Sequence, residues 1–143
     1  MAPLGNARAI PLGWSQHHAP VAAGGMNGRC RIYDPATATK GWDGPTESVT
    51  LTRGTPVYDG PCRIEPALTA DSVVQADDAQ TVREYLVQIL FDAAPVKPDW
   101  ILVPYQCIND PQLDGQVLTV GDVQLGTERF TRDLMCSHTQ AQP

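Results

Sequence analysis

The sequence has no concentration of positive charge. Its ten Lys and Arg residues are scattered among sixteen Asp and Glu residues, which gives a net charge of −6 and a pI near 4.8. Proteins that grip nucleic acid neutralise its phosphates with clustered Lys and Arg. The composition therefore argues against a nucleic-acid-binding protein.

Long apolar runs are also missing. No segment approaches the roughly 18 apolar residues of a membrane span. The first 14 residues lack the continuous apolar stretch of a signal peptide. We therefore expect a chain that folds in a cytoplasm and has no membrane partner.

The cysteines are widely spaced, with no Cys-x-x-Cys pair among them. Zinc ligands usually come in close pairs, because one tight turn must aim two thiolates at one ion. Cys30-Arg31-Ile32 and Cys62-Arg63-Ile64 both alternate apolar and charged residues, and a strand sends such residues to opposite faces. We predict reduced, buried, structural cysteines and no metal site. The four cysteines are Cys30, Cys62, Cys107 and Cys136.

Catalytic motifs are absent as well. The sequence contains neither Gly-x-Ser-x-Gly nor a Walker-type phosphate loop. His17 and His18 are adjacent, so in an extended chain they point to opposite sides and chelate poorly, and His138 lies in a predicted tail. Asp77-Asp78 resembles a carboxylate pair, but glycosidase carboxylates flank the sugar from separate elements. We predict no enzyme, no catalytic residue and no cofactor.

The sequence does contain repeated alternation of apolar and polar residues, interrupted by Gly and Pro. Several short strands with turn signals between them predict an all-β fold, a small antiparallel β-barrel or sandwich of about seven strands in one domain. A helix is the competing interpretation for 81–91, and Gly60-Pro61 is predicted to bend or bulge its strand. The predicted strands are 26–33, 47–53, 57–65, 81–91, 100–108, 116–120 and 129–136.

Two segments flank the predicted barrel domain at 26–137, and one long loop interrupts it. Residues 1–25 contain prolines and no sustained period, so we expect an extended N-terminal arm. Residues 138–143 are expected to be a flexible tail. Residues 66–80 form one long polar loop, and its carboxylates belong at a surface because an unpaired buried carboxylate is costly. These carboxylates are Asp71, Asp77 and Asp78.

An ordered series of short motifs resembles the head-to-tail stopper proteins of tailed phages that infect actinobacteria. The series runs from Pro11-Leu-Gly-Trp14 through His17-His18 and the strand at 29–32 to a closing strand through Thr131-Arg132. Its two most specific motifs lie between these. They are Tyr58-Asp-Gly60-Pro61-Cys62-Arg63 and Asp110-Pro111-Gln-Leu113-Asp-Gly115. Each has a physical interpretation as a fold element: a bend into a strand, and a turn whose Leu113 plugs the barrel end.

The resemblance implies a β-barrel subunit of the virion neck, assembled in the host cytoplasm as a ring of twelve copies. It implies a portal adaptor above the ring, a tail terminator or tail tube below it, and packaged DNA that passes through without specific binding. The loop at 66–80, with Asp71, Asp77 and Asp78, would project into the channel. Trp14, His17 and His18 would belong to an assembly arm.

Three alternatives remain open at this stage. The nearest is a tail-terminator or tail-tube ring subunit, which would also be small and rich in β-structure. A monomeric β-sandwich binding module comes next, with Trp14, Trp42 and Trp100 as the only tryptophans available for an aromatic platform. An enzyme comes last.

Overall fold

The chain forms a closed, six-stranded antiparallel β-barrel with a separate two-stranded hairpin, which confirms the predicted all-β barrel. The computed structural model describes residues 10–67, 81–127 and 129–140. Around the barrel the order is β1-β4-β5-β8-β7-β6, and β2 pairs only with β3. The strands are β1 Gly28–Tyr33, β2 Thr39–Asp43, β3 Ser48–Thr52, β4 Tyr58–Pro66, β5 Thr81–Leu90, β6 Ile101–Tyr105, β7 Leu118–Gln124 and β8 Thr131–Gln140.

Inward side chains from all six barrel strands fill the interior. Alternation along each strand places every second residue inside, as a small barrel requires. Arg31 and Arg63 point outward while the cysteines beside them are buried, and all four cysteines are buried and free of disulfides, as predicted. The largest fully buried side chains are Ile32, Val87, Ile89, Leu102, Leu118, Val120 and Leu134.

The strand predictions succeed wherever one face is buried. The segment 81–91 is a strand rather than a helix, because β5 pairs with β4 on one side and with β8 along its whole length. The bulge expected at Gly60-Pro61 is wrong, because β4 pairs with β1 in an unbroken register through both residues. Within the described residues the barrel register shifts between Val120 and Asp122 in β7.

The extended arm expected at 1–25 is wrong over Trp14–Gly24, which forms an α-helix, α1. Pro20 lies inside this helix, and an internal proline removes a backbone donor, so the sequence pattern predicted no helix here. Tertiary packing supports the helix instead, because Ala19 is buried and the Trp14 ring packs against the ring of Phe130. The flexible tail expected from residue 138 is also wrong up to residue 140, since β8 pairs with β5 as far as Gln140.

The antiparallel order assigns each connection to one end of the barrel. The end that we call the hairpin end carries the connections 34–57, 91–100 and 125–130. The other end, which we call the opposite end, carries the start of β1, the adjoining ends of β4 and β5, and the connection 106–117. That connection includes a 3₁₀-helix at Pro111–Leu113, and a second 3₁₀-helix at Pro35–Thr37 leads into the hairpin.

Candidate assembly surfaces

The motif that begins at Tyr58 is a packing unit on the inner face of β4. A Cβ atom at Gly60 would lie 2.9 Å from the Tyr58 Oη atom and 3.0 Å from Cζ, so the ring folds over the glycine backbone. The Tyr58 hydroxyl donates to the Pro61 carbonyl at 2.6 Å and accepts from the Leu90 amide at 3.4 Å. Burial raises the pKa of Tyr58 to about 12. The motif therefore ties β4 to β5 and has a structural role.

The thiols crowd one region of the barrel interior. A Cβ atom at Gly28 would lie 3.2 Å from the Cys107 sulfur and 3.7 Å from the Cys62 sulfur. A hydrogen bond with Cys62, together with burial, raises the pKa of Cys30, and burial raises the pKa of Cys136 to about 12. Protonated, buried thiols are poor nucleophiles. Across 10–67, 81–127 and 129–140 no group of three or more His, Cys, Asp or Glu is placed to hold a metal.

The second sequence motif forms a capped turn at the opposite end. The Asp110 carboxylate accepts a backbone N–H of the 3₁₀-helix that Pro111 begins. Gly115 has φ +79°, a conformation that favours glycine, and its amide donates to the Pro104 carbonyl at 2.9 Å. Leu113 is half-buried and lines a cavity at this end of the barrel. The turn therefore closes the connection between β6 and β7.

That cavity has a volume of about 230 Å³ and is lined in part by Cys62, Cys107 and Leu113. Small-molecule sites usually occupy roughly 300–1,000 Å³. Of the three charged side chains in its lining, Arg63 and Glu65 form an ion pair with each other at 2.5 Å, and Asp110 caps the 3₁₀-helix. Its size and its paired charges make this cavity a weak candidate for a ligand site.

A polar cluster crosses the outside of β1, β4 and β6. The Arg31 guanidinium lies 4.2 Å from the centre of the Tyr105 ring, and Arg29 donates to the Tyr105 hydroxyl at 3.0 Å. That hydroxyl donates to Asp59, which also accepts from Arg31 at 3.3 Å. These hydrogen bonds, first from Tyr105 and then from Arg31, hold the pKa of Asp59 below its ordinary value. Two guanidinium groups share one carboxylate and one tyrosine side chain, so the cluster braces three strands.

The residues predicted for an assembly arm lie on α1. The Trp14 ring is 4.8 Å from the ring of His18 and 4.8 Å from that of Phe130 in the β7–β8 connection. His17 contacts His18 edge-on at 5.0 Å and is itself exposed. Trp14 and His18 therefore attach the helix to its own barrel, and His17 is left at the surface.

A groove at the hairpin end, which we call the α1 groove, lies between the start of α1 and the β7–β8 connection. It encloses about 320 Å³. Leu12 and Leu125 are exposed at its rim, Leu125 by 86%. Arg132 donates to the backbone carbonyl of Ala94 at 2.8 Å and forms no ion pair within the described part of the chain. The groove is lined in part by Leu12, Phe91, Gln124, Leu125, Arg129 and Arg132, and its remaining lining residues are small or polar.

The β2–β3 hairpin has an apolar face that no described part of the chain covers. Trp42 pairs directly with Val49, and Lys40 pairs with Leu51, so these four side chains share one face. Trp42 is 68% exposed, and Val49 and Leu51 are also exposed. The other face carries Gly41 and short polar side chains. We call the first of these faces the apolar hairpin face.

Sequence reasoning found β3 but missed β2. Both strands are exposed, but β3 still alternates Val49 and Leu51 with polar residues, whereas β2 has Trp42 as its one large apolar residue and shows no alternation. The available signal was the turn at Gly44-Pro45 between segments of equal length, with Trp42 placed to match Val49.

The channel loop lies largely outside the described residues. Its predicted acidic residues Asp71, Asp77 and Asp78 all fall between 68 and 80. The described boundaries of this segment, Pro66 at the end of β4 and Thr81 at the start of β5, are both at the opposite end of the barrel.

By its fold, the protein is a small closed antiparallel β-barrel with a separate hairpin, and one face of that hairpin is apolar and exposed. The model of the family described as "Family of unknown function (DUF6093)" matches residues 18–137. The chain belongs to this family. No curated protein and no solved structure matches the chain. None of the helices among the described residues has the length and apolarity needed to cross a membrane.

Proposed function

We propose that this protein is a head-to-tail stopper, a ring-forming subunit in the neck of a tailed-phage virion. The observation that carries the proposal is the apolar hairpin face, which projects uncovered from a closed barrel. The order of the sequence motifs resembles that of phage stopper proteins, and this resemblance is the reason for assigning the ring to the virion neck. Its neighbours would be a portal adaptor above and a tail terminator or tail tube below.

The hairpin supports assembly for a physical reason. An isolated two-stranded hairpin is marginally stable in water, and contiguous exposed apolar surface usually marks an interaction site. Here Trp42, Val49 and Leu51 remain at the surface of a chain whose barrel already has a filled core. A subunit that buries this face against another protein gains both hairpin stability and interface energy.

The opposite end of the barrel would face the DNA channel. The connection between β4 and β5 leaves this end, and it contains Asp71, Asp77 and Asp78. Carboxylates repel phosphate, so packaged DNA would pass the ring without specific binding. In this arrangement twelve copies surround the channel, and the exposed side of α1, with His17, is available to neighbouring neck proteins.

The test is deletion of the gene from the phage or prophage that encodes it, with wild-type complementation as the control. A stopper joins heads to tails and retains DNA, so the deletion should give heads that package DNA but lose it to nuclease, together with unattached tails of normal length. Overlong tails would identify a tail terminator instead, because a terminator caps growth of the tube. Joined, infectious particles would contradict any role in the neck.

A further inference from the structure

We propose that the apolar hairpin face of one copy docks in the α1 groove of a second copy of the same chain. The occupant is therefore another copy, held head to tail. This proposal rests on the proposed function insofar as it names the contact that builds the ring. It can fail while that function stands, because its test uses the purified chain alone.

Both surfaces expose large apolar side chains. On the hairpin, Trp42 is flanked by Val49 across the strand pair. At the groove, Leu12 and Leu125 are among the most exposed large apolar side chains of the described chain. Tryptophan is enriched among the residues that dominate interface energies, especially when it fills a pocket. The groove, at about 320 Å³, offers such a pocket.

The two surfaces also match in charge. Asp43 and Glu47 lie at the tip of the hairpin, and neither takes part in an ion pair with any residue that the structure describes. In the groove, Arg129 is neutralised by Asp133 at 3.0 Å, whereas Arg132 contacts backbone carbonyls. Asp43 and Glu47 at the tip outnumber Lys40, the single cation on the apolar hairpin face, so the end of the hairpin carries a net negative charge and meets a groove with one uncompensated cation. Such complementarity sets the register of docking and excludes wrong partners.

Their placement on the barrel favours a ring. The hairpin belongs to the connection between β1 and β4, and the groove is built around the start of β8. In the closed order β1-β4-β5-β8-β7-β6, β8 is three strands from β1 in either direction, so the surfaces lie on opposite sides of the barrel at the same end. Two complementary surfaces placed this way join copies side by side, and such heterologous contacts close into rings when the rotation allows.

The hairpin is held in shape before it docks. The Thr46 hydroxyl donates to the Asp43 carboxylate at 2.6 Å across the turn, where Glu47 has φ 48°. At the base, a Cβ atom on Gly54 would lie 2.5 Å from the Thr37 Oγ1 atom, so the two connecting segments pack closely. A preorganised hairpin loses less conformational entropy on binding, which strengthens a contact of given area.

The test uses two substitutions that each place a negative charge on one of the two surfaces. They are Trp42→Asp on the hairpin and Leu125→Asp on the groove rim. Matched controls are Thr50→Asp on the polar face of the same hairpin and Ile108→Asp, an exposed apolar residue at the opposite end. Self-association is measured by sedimentation velocity and NMR dilution up to about 1 mM, which detects a Kd near that value. Thermal unfolding checks that each variant is folded.

The wild-type chain should self-associate, and each interface variant should weaken that association about thirtyfold or more, the size expected for a hot-spot residue. The controls should stay near wild type. A mixture of the Trp42→Asp and Leu125→Asp variants should form a dimer and nothing larger, because the first keeps its groove and the second keeps its hairpin.

Three results would overturn the proposal. One is a wild-type chain that stays monomeric up to about 1 mM by both methods. A second is normal self-association of Leu125→Asp with loss in Trp42→Asp, which would indicate hairpin-to-hairpin pairing. The third is a mixture that forms no dimer although both variants are folded. Since none of these involves phage particles, the gene deletion above remains a separate test of the neck function.

Discussion

At the scale of single residues, the absence of a side chain at Gly60 explains the motif that begins at Tyr58. From the sequence alone this motif was predicted to bend or bulge its strand. The Tyr58 ring occupies the space where a Cβ atom would stand, and from there its hydroxyl reaches the Pro61 carbonyl. The order Tyr-x-Gly-Pro thus encodes a contact between the ring and its own strand. It needs no bend in β4, whose register with β1 is unbroken.

Substitution Gly60→Ala should therefore lower the free energy of unfolding by about 1–3 kcal/mol, the usual cost of a buried polar group that loses its partner. The new methyl group would push the Tyr58 ring away and leave the Pro61 carbonyl without its donor. Urea unfolding measures the effect. Gly24→Ala is the matched control, because a Cβ atom there meets nothing within 4 Å. Equal stability of the two variants would show that the ring contact contributes nothing.

At the scale of elements, α1 depends on its neighbours more than on its own sequence. It has no side-chain N-cap and contains Pro20, and short helices are marginal in isolation. Trp14 supplies the contact that holds it, through Phe130 in the β7–β8 connection. Aromatic pairs of this kind contribute about 0.5–1.5 kcal/mol beyond the area they bury.

Substitution Trp14→Ala should detach α1, destabilise the protein by about 1–2 kcal/mol and speed amide exchange across Trp14–Gly24. The barrel strands should keep their protection. Trp42→Ala is a matched control, since Trp42 is largely exposed and its loss should change stability by less than about 0.5 kcal/mol. Unchanged exchange in α1 of the Trp14 variant would contradict this account of the helix.

Elements were predictable from sequence where burial imposes a period. β1, β4 and β5 alternate because one face fills the barrel, so Cys30 and Cys62 were placed correctly. β2 was missed because its sequence does not alternate apolar and polar residues. The helix α1 was missed because it contains Pro20 and is supported by tertiary packing. The local sequence pattern therefore predicts neither this exposed strand nor this helix.

The candidate surfaces were less predictable than the elements. The α1 groove joins Leu12, Phe91 and Leu125, which are far apart in sequence and meet only when the barrel closes. The apolar hairpin face needs the register between Trp42 and Val49, which no single strand reveals. Among the predicted site residues, Trp14 and His18 proved to pack on their own barrel.

At the scale of the whole molecule, three features of the fold suit the proposed assembly. The closed barrel provides a rigid body, the hairpin and the α1 groove lie on opposite sides of one end, and the β4–β5 connection leaves the other end. The net charge of −6 suits a protein beside which DNA must move, because like charges repel. In the proposed ring, neighbours bind at the hairpin end while acidic residues face the channel.

The most direct measurement of the central claim is a cryo-EM reconstruction of the neck of the tailed-phage particle to which the proposal assigns this chain. The account predicts a ring of copies of this barrel between the portal adaptor and the tail, with each hairpin seated on the next subunit and residues 66–80 facing the lumen. A neck filled by other proteins, with this barrel located elsewhere in the particle or missing from it, would contradict the claim.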